Sequence, residues 1–496
     1  MKKTWKRFIC LLALSVFAVS AACAEGMVVI NGDLPAMTQE ETQQMVSEVA
    51  EAYYRDQDVI SSLQSRLTVQ EIGDSDITEE LGTFNLCTME YEGNTMRFLM
   101  NVIGEPDEDG GYPLYITLHG GGEDAPEGND SQWFMMYDYY QEAVSNGIYV
   151  ACRGITDTWD LHFRPESYPL YDQLIRTMVH LYDADPNRVY LLGFSAGGDG
   201  VYQIAARMTD RFAAANMSSG HPNGVSLRNL ANCPFSIQVG VRDYYSESAM
   251  RCVKAAEFEA VLNAYRDALG EGYEHQVLVH VPEGHNYDDY SSGHEAEVLA
   301  DPSAFADPAI VEDMLYAFEE AFYTIVGPDG DGGLSYYSAG FNAPFDEAVR
   351  SIVRDRFGLE TMFVNSSAVD YVSAFKRDPA PRTVVWDLGT RAEKRTVTSF
   401  YWLMADASVT EGVITAYVSG DNTITVEPEN VNGDFSILVS PRLLDVSRPI
   451  HIITPEGEYE VSVNPSRDTV YESILETGDP TMVWVAEIPY SMLSSN

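Results

Sequence analysis

The sequence predicts an α/β fold, in which a mainly parallel sheet carries helices on both faces, followed by a β-rich, sandwich-like C-terminal domain. Between residues 112 and 281 apolar strand-like runs alternate with helical stretches of ten or more residues, and parallel strands need such crossover connections. Beyond Pro379 the pattern changes to short apolar runs separated by turns, which is typical of a β-sandwich or barrel. The length of 496 residues favours two or three domains.

The N-terminus has a basic start and an apolar run over residues 8–22, which predicts a signal peptide over residues 1–24. Because Ala22-Cys23-Ala24 fits a small-residue cleavage site, we expect a secreted or extracellular protein. A lipid anchor at Cys23 is the alternative. Every other run is too short or too polar to span a bilayer, so no membrane span is expected.

Residues 25–84 are predicted as an N-terminal cover helix and lead-in. The helical pattern over residues 38–67 opens with Thr38 and Glu41 at the spacing of a capping box. Two strand-like runs separated by the turn EGN then predict a hairpin, which places antiparallel strands at one edge of the sheet.

Residues 85–378 are predicted as the α/β domain and residues 379–496 as the β-rich domain. The strand–helix alternation stops after His285, which indicates an insertion around residues 289–368. The predicted strands of the α/β domain are YPLYITL, IYVAC, NRVYLLGF, FAAANMSS, PFSIQVGV and HQVLVHV.

The charge of the chain bears on nucleic-acid binding, and its cysteine content bears on disulfide bonds. The chain has 30 Lys and Arg against 76 Asp and Glu, a formal net charge of −46, so we expect no nucleic-acid partner. The six cysteines are too sparse for a disulfide framework, and a Cys233–Cys252 bridge and two buried thiols both stay open.

Ser195, in the sequence GFSAG, is the candidate nucleophile. It lies between an apolar strand and a helix, the strand–turn–helix setting of a nucleophile elbow, and Gly193 and Gly197 leave room in the tight turn. Asp243 and His285 each follow a predicted parallel strand, in the order Ser–Asp–His. These three residues therefore predict a catalytic triad in an α/β-hydrolase fold.

The glycine run after His119 supplies the candidate oxyanion hole. It follows its own strand, as an HGGG oxyanion loop does, and its backbone N–H groups are unhindered by side chains. We predict that the N–H groups of Gly121, Gly122 and Ala196 hold the tetrahedral oxyanion.

The run from Asp183 to Asn223, with LHGGGE before it and IQVGVRD after it, resembles exported bacterial α/β-hydrolases related to polyhydroxybutyrate depolymerases and feruloyl esterases. The resemblance implies hydrolysis of carboxylic esters, with Ser195, Asp243 and His285 as the matching triad positions. The stretch after His285 is longer than in the similar proteins, which makes His294 a rival base.

Three residues on other carboxyl-end loops are candidate substrate contacts: Trp159, His162 and His221. Local packing is the alternative for each of them. Two further predictions concern sites outside the triad. Asp329 and Asp331 lack the spacing of a calcium loop, so no metal is expected. We expect the aromatic residues of the β domain to lie in its core instead of forming a carbohydrate platform; these are Trp386, Tyr401 and Trp402.

The sequence thus predicts a secreted serine hydrolase of the carboxylesterase type that needs no cofactor. Its substrate would be a small-molecule ester or an ester linked to a plant polysaccharide. Two alternatives remain: a serine peptidase with the same triad, and a non-catalytic surface-binding protein on a hydrolase scaffold.

Overall fold

A computed structural model of the protein describes residues 27–72, 83–107, 110–123, 125–244, 250–327 and 342–493. The predicted signal peptide, Cys23, Asp329 and Asp331 lie outside these residues. Among the helices of the described ranges, none combines the length and apolar character that a bilayer span requires.

The main sheet contains eleven strands in the described residues. Its six central strands are parallel, and in order across the sheet they are β6 (Gly147–Cys152), β5 (Tyr112–Leu118), β7 (Ala184–Phe194), β8 (Ala214–Ser218), β9 (Phe235–Gly240) and β10 (His275–His280). Antiparallel strands extend one edge with β4 (Asn94–Ile103), β3 (Phe84–Tyr91) and β2 (Leu67–Ile72), and the other edge with β11 (Glu295–Leu299) and β12 (Thr361–Asn365). The predicted parallel sheet and its edge hairpin are both confirmed.

The helices connect and cover these strands. In the described residues they are α1 (Gln39–Arg55), α2 (Gln57–Arg66), α3 (Pro126–Tyr139), α4 (Ser167–Leu181), α5 (Ala196–Arg207), α6 (Arg251–Leu269), α7 (Pro308–Ile325), α8 (Ala343–Ser351), α9 (Ala368–Ser373) and α10 (Arg467–Thr477). Almost every residue of α4 and α5 is buried, which fits helices packed between a sheet and another layer. The strands β5 to β9 are buried over nearly their whole length, as parallel strands with both faces covered are.

The helical pattern over residues 38–67 forms two helices instead of one. The predicted capping box is present: the Glu41 N–H donates to the Thr38 hydroxyl at 3.2 Å, and the Thr38 N–H donates to the Glu41 carboxylate at 2.8 Å. Asp56 interrupts the pattern, because its carboxylate accepts the Asp58 N–H and caps the second helix. The chain then enters β2 at Leu67.

The C-terminal region forms two sheets around one apolar core. The six-stranded sheet has the order β1 (Met27–Ile30), β20 (Gly457–Val463), β19 (Ile450–Thr454), β17 (Thr423–Glu429), β16 (Val413–Ser419) and β13 (Thr383–Asp387). The four-stranded sheet has the order β14 (Ser399–Phe400), β15 (Leu403–Ala405), β18 (Phe435–Val439) and β21 (Ala486–Pro489). The side chains of Trp386, Tyr401 and Trp402 are at most 3% exposed in this core, which confirms their prediction as core aromatics.

The N-terminal segment joins the C-terminal core. The strand β1 pairs in parallel with β20, and the amide side chains of Asn31 and Asn464 each donate to the other's backbone carbonyl at 3.1 Å. On α1 the apolar face formed by Met45, Val49 and Tyr53 is buried in the same core. The predicted cover helix therefore covers the β-rich region, because its apolar stripe packs there.

Buried ion pairs hold the two regions together. The Arg395 guanidinium lies 2.8 Å from the Asp172 carboxylate and 3.0 Å from the Asp210 carboxylate, and all three side chains are at most 6% exposed. Arg377 pairs with Asp479 in a second buried contact. Removal of one charge from such a set would leave its partner buried without compensation, which is strongly destabilising.

The stretch predicted as an insertion, residues 289–368, adds to the main sheet. Two of its segments are the edge strands β11 and β12, and the apolar face of α8 is buried in the main core through Phe345 and Val349. The four described cysteines are buried and unbridged, so Cys233 and Cys252 form no disulfide. Burial raises the pKa of each of these two thiols to about 12, which makes them inert.

Candidate active site

Ser195 occupies the tight turn between β7 and α5. Its backbone has φ = +57° and ψ = −118°, a conformation that non-glycine residues rarely adopt. A Cβ on Gly193 would lie 2.4 Å from the Gly197 carbonyl oxygen, and a Cβ on Gly197 would lie 2.0 Å from the Leu118 carbonyl oxygen. Both glycines are therefore required by backbone contact, as a nucleophile elbow predicts. The chain has the α/β-hydrolase fold.

The three predicted triad residues lie together at the carboxyl ends of β7, β9 and β10. The His285 Nε2 atom is 2.9 Å from the Ser195 Oγ atom. The His285 Nδ1 atom is 3.2 and 3.3 Å from the two carboxylate oxygens of Asp243. Because a carboxylate can only accept, Nδ1 carries the proton and Nε2 presents its lone pair to the Ser195 hydroxyl.

The loops that carry Asp243 and His285 are fixed to each other. Backbone N–H groups of Val241 and Arg242 donate to His280 and Glu283, at 2.8 and 3.0 Å. The Asp243 side chain is fully buried, and Arg251 lies 3.3 Å from its carboxylate. The ring of His285 keeps 12% of its surface exposed. Asp243 therefore fixes one side of the His285 ring, and part of the ring stays accessible to solvent.

His294, the rival base, lies elsewhere. Its Nδ1 atom is 3.5 Å from the Asp288 carboxylate, and its side chain is 37% exposed. Among the described residues, His285 is the histidine that contacts Ser195.

The oxyanion loop differs from the prediction at Gly122. Its N–H donates to the Asn129 side-chain oxygen at 3.0 Å, and the Asn129 amide donates back to the Gly122 carbonyl at 3.0 Å. Asn129 is fully buried on α3. The predicted role of Gly122 as an oxyanion donor is therefore wrong, because this N–H already has an acceptor.

Gly121 and Ala196 remain as the candidate donors. Within the described residues neither N–H has an acceptor, and Ala196 opens α5, whose N-terminal dipole favours negative charge. A Cβ on Gly120 would lie 3.3 Å from the Ser195 Cβ, so this loop passes directly beside the nucleophile. Two N–H donors next to Ser195 are sufficient for an oxyanion hole.

His162 supports the oxyanion loop from behind. Its ring is 1% exposed, its Nε2 atom lies 2.9 Å from the His119 carbonyl oxygen, and burial lowers its pKa to about 4. His119 is also buried, and its Nε2 atom accepts the Gly154 N–H at 3.1 Å. The predicted substrate contact of His162 is therefore wrong, because the ring is buried against the backbone of the oxyanion loop.

The other two predicted substrate contacts remain open to solvent. Trp159 is 54% exposed and packs edge-on against Phe163, with ring centroids 5.3 Å apart. The ring of His221 is held at Nδ1 by the Asn223 N–H at 3.1 Å, and its backbone N–H donates to Asp199. Their contact with substrate stays a prediction.

A buried carboxylate behind the nucleophile was missed by the sequence analysis. Asp289 accepts hydrogen bonds from the hydroxyls of Tyr139 at 2.9 Å, Tyr140 at 3.0 Å and Ser218. The Ser218 carbonyl in turn accepts the Ser195 N–H at 2.9 Å. Burial raises the pKa of Asp289 to about 6. This cluster, the Asp289 network, ties the turn at Ser195 to α3 and to the loop that carries His285.

No set of three or more His, Cys, Asp or Glu side chains in the described ranges is arranged to hold a metal ion.

Over part of its length the chain is similar to known esterases. No protein-family model matches the chain. The chain is similar to feruloyl esterase B of Thermothelomyces thermophilus, with 25% identity over 158 residues, 30% of this chain and 52% of that protein. It thus spans about half the length of the curated relative it matches, and the match supports the resemblance to feruloyl esterases.

The similar solved structures include esterases, a hydrolase and a dipeptidyl peptidase. A thermostable esterase is 19% identical, with 44% of this chain and 55% of that chain covered and a TM-score of 0.28. An acetyl xylan esterase from Paenibacillus sp. R4 is 12% identical, with 50% and 88% covered and a TM-score of 0.28. An S-formylglutathione hydrolase from Agrobacterium tumefaciens is 14% identical, with 50% and 98% covered and a TM-score of 0.31. TM-scores of this size support no conclusion about activity.

Proposed function

We propose that the protein is a secreted serine hydrolase that cleaves carboxylic esters through an acyl-enzyme intermediate. One observation carries the proposal: the His285 Nε2 atom lies 2.9 Å from the Ser195 Oγ atom, with Asp243 on the opposite ring nitrogen. A serine hydroxyl is a weak nucleophile until a base removes its proton, and this geometry supplies the base.

In the first step the Ser195 Oγ atom attacks the ester carbonyl carbon while its proton passes to the His285 Nε2 atom. The negative charge that forms on the carbonyl oxygen is held by the N–H groups of Gly121 and Ala196. The C–O bond to the alcohol then breaks, and the leaving alcohol takes the proton from His285. Asp243 stabilises the imidazolium between the two transfers.

In the second step water replaces the alcohol. His285 removes a proton from the water, which attacks the acyl carbon, and the same histidine returns the proton to the Ser195 Oγ atom. The products are a carboxylic acid and free enzyme. Every proton transfer uses this one imidazole, so the chemistry needs no cofactor.

The substrates that we propose are esters of plant polysaccharides and small acyl esters. The similar curated protein is named a feruloyl esterase, and the net charge of −46 disfavours polyanionic substrates. The half-exposed Trp159 beside the oxyanion loop offers an apolar surface to a sugar or an acyl group.

A fluorophosphonate probe tests the nucleophile. We expect stoichiometric labelling of the mature protein, no labelling of Ser195→Ala and full labelling of Ser447→Ala, which changes an exposed serine of the β-rich region. The Ser195→Ala change should lower kcat for p-nitrophenyl acetate by about 10⁴-fold or more. Equal labelling of Ser195→Ala and the unchanged protein would refute the assignment.

The choice of ester over amide is tested with the same protein. We expect turnover of p-nitrophenyl acetate and negligible turnover of peptide p-nitroanilides. Fast amide cleavage with no ester cleavage would instead identify a peptidase, and inactivity on both together with absent labelling would favour a binding protein.

Secretion rests on residues 1–24 and has its own test. We expect protein recovered from the culture medium to begin at Glu25. A protein retained in the membrane fraction and modified at Cys23 would contradict the cleavage and support the lipid anchor.

A further inference from the structure

A cleft of about 440 Å³ lies between the hydrolase sheet region and the β-rich region. Its hydrolase side includes Trp159 and Asp160, and its β-rich side includes Arg391, Glu393 and Thr410. The volume falls in the range of small-molecule sites, roughly 300 to 1,000 Å³. This interdomain cleft is separate from the triad, which contributes none of its lining residues.

One end of the cleft adjoins the oxyanion loop through Trp159. A Cβ on Gly122 would lie 3.9 Å from the Trp159 Cα and 3.8 Å from the Ala196 Cβ. Ala196 follows the nucleophile Ser195 directly. The backbone of Trp159 therefore lies beside the oxyanion loop, and the same residue lines the cleft.

The three arginines that line the cleft are hydrogen-bonded to the protein, and Arg207 donates to the backbone carbonyl and the side chain of Gln203. The Arg391 guanidinium donates to the carbonyls of Asp406 at 2.7 Å and Val409 at 2.9 Å and stands 5.1 Å from the centre of the Trp386 ring. Arg395 is bound by the two buried aspartates described above. Arg395 is thus neutralised by carboxylates, whereas Arg207 and Arg391 direct N–H groups to neutral acceptors of the protein.

The exposed groups of the cleft suit an uncharged, hydroxyl-rich ligand. Glu393 and Thr410 are exposed polar side chains, and Trp159 presents an indole that is 54% exposed. An aromatic surface packs against the C–H face of a sugar, while carboxylate and hydroxyl groups bond its hydroxyls. Both kinds of surface line the same cleft.

We propose that the interdomain cleft binds the oligosaccharide part of a carbohydrate ester, with Trp159 as the aromatic platform where the cleft meets the active site. The inference rests on the proposed ester hydrolysis and deepens it. The scissile ester then lies at Ser195 while the sugar chain extends between the two regions, so the β-rich region contributes directly to substrate binding.

Calorimetric titration with unesterified xylotetraose and cellotetraose tests the proposal, because sugar binding needs no catalysis. We expect at least one tetrasaccharide to bind and Trp159→Ala to weaken that binding about tenfold, or about 1.4 kcal/mol. Trp159→Phe should retain most of the affinity. Tyr316→Ala, which removes an exposed aromatic ring from α7, should leave the affinity unchanged.

A double change on the β-rich side of the cleft tests whether the cleft itself, away from the triad, binds the sugar. Glu393→Ala combined with Thr410→Ala should also weaken tetrasaccharide binding and lower kcat/KM for an acylated tetrasaccharide. Absence of binding by both tetrasaccharides, or binding that the double change leaves intact, would overturn the proposal. Failure of ester hydrolysis would appear separately, as absent fluorophosphonate labelling in a protein whose sugar binding is still measurable.

Discussion

Replacing Asp289 by Asn should make the stability of the protein less dependent on pH. In the folded protein burial raises the pKa of this carboxyl from its ordinary value of 3.8 to about 6. A raised carboxyl pKa stabilises the fold fully below the unfolded-state pKa, and this contribution is lost as the pH rises through the folded-state pKa. The asparagine side chain does not titrate, so it lacks this contribution at every pH.

The size of the effect follows from the shift. Each pKa unit is about 1.4 kcal/mol, so a shift from 3.8 to about 6 corresponds to ~3 kcal/mol between low and neutral pH. Urea unfolding at pH 4 and pH 7.5 measures it. The quantity to compare is the free energy of unfolding of the unchanged protein minus that of Asp289→Asn. We expect this difference to be smaller at pH 7.5 than at pH 4 by most of ~3 kcal/mol.

A matched control is Asp138→Asn, which changes an exposed carboxylate on α3, the helix that also carries Tyr139. This change should leave the pH dependence of stability within a few tenths of a kcal/mol of the unchanged protein. If Asp289→Asn and Asp138→Asn showed the same pH dependence, the Asp289 network would not hold a carboxyl of raised pKa, and the reasoning from its burial would be refuted.

Three further changes test the site and the packing. Asn129→Ala removes the acceptor of the Gly122 N–H and loosens the oxyanion loop, so kcat for p-nitrophenyl acetate should fall by about 10- to 100-fold with little change in KM; an unchanged kcat would contradict this. Gly197→Ala places a Cβ against backbone and should prevent soluble expression, whereas Gly420→Ala, which meets no atom within 4 Å, should express normally. Arg395→Met removes the ion-pair partner of the buried Asp210 and one of the two partners of Asp172, whose carboxylate also lies 3.2 Å from Arg211. It should lower the free energy of unfolding by about 3 to 5 kcal/mol, as measured by urea unfolding; a loss below 1 kcal/mol would show that the ion-pair cluster contributes little.

The triad geometry could be predicted because it follows from local patterns. Parallel strands end at one edge of a sheet, so Asp243 and His285, each just after a strand, had to lie near the turn at Ser195. The parts that were missed depend on distant packing. Asn129 comes from a helix whose sequence carries no signal for a loop contact, and Asp289 is one of many acidic residues until burial sets it apart.

In the fold, too, the features that follow from local patterns could be predicted, and those that depend on distant pairing could not. The strand–helix alternation predicts the parallel core, because each crossover is continuous in the sequence. The four residues of β1 pair with β20, and the edge strands β11 and β12 pair across two helices. Pairing over such separations leaves no periodic mark, so a short apolar run such as residues 27–30 cannot be assigned from its own residues.

The pairing of β1 with β20 brings the N-terminal segment of the described chain against its C-terminal region. Residues 31 and 464 are neighbours in space although 433 positions separate them in the chain. During synthesis β1 and α1 therefore lack their partners until β20 has been made, and loop closure over these 433 positions slows their docking. A fragment that begins at residue 379 lacks both elements and exposes the core surface they cover. To study the two regions separately, we therefore suggest a circularly permuted chain in which residues 27–66 follow the C-terminal segment, so that β1 and α1 stay with the core they cover.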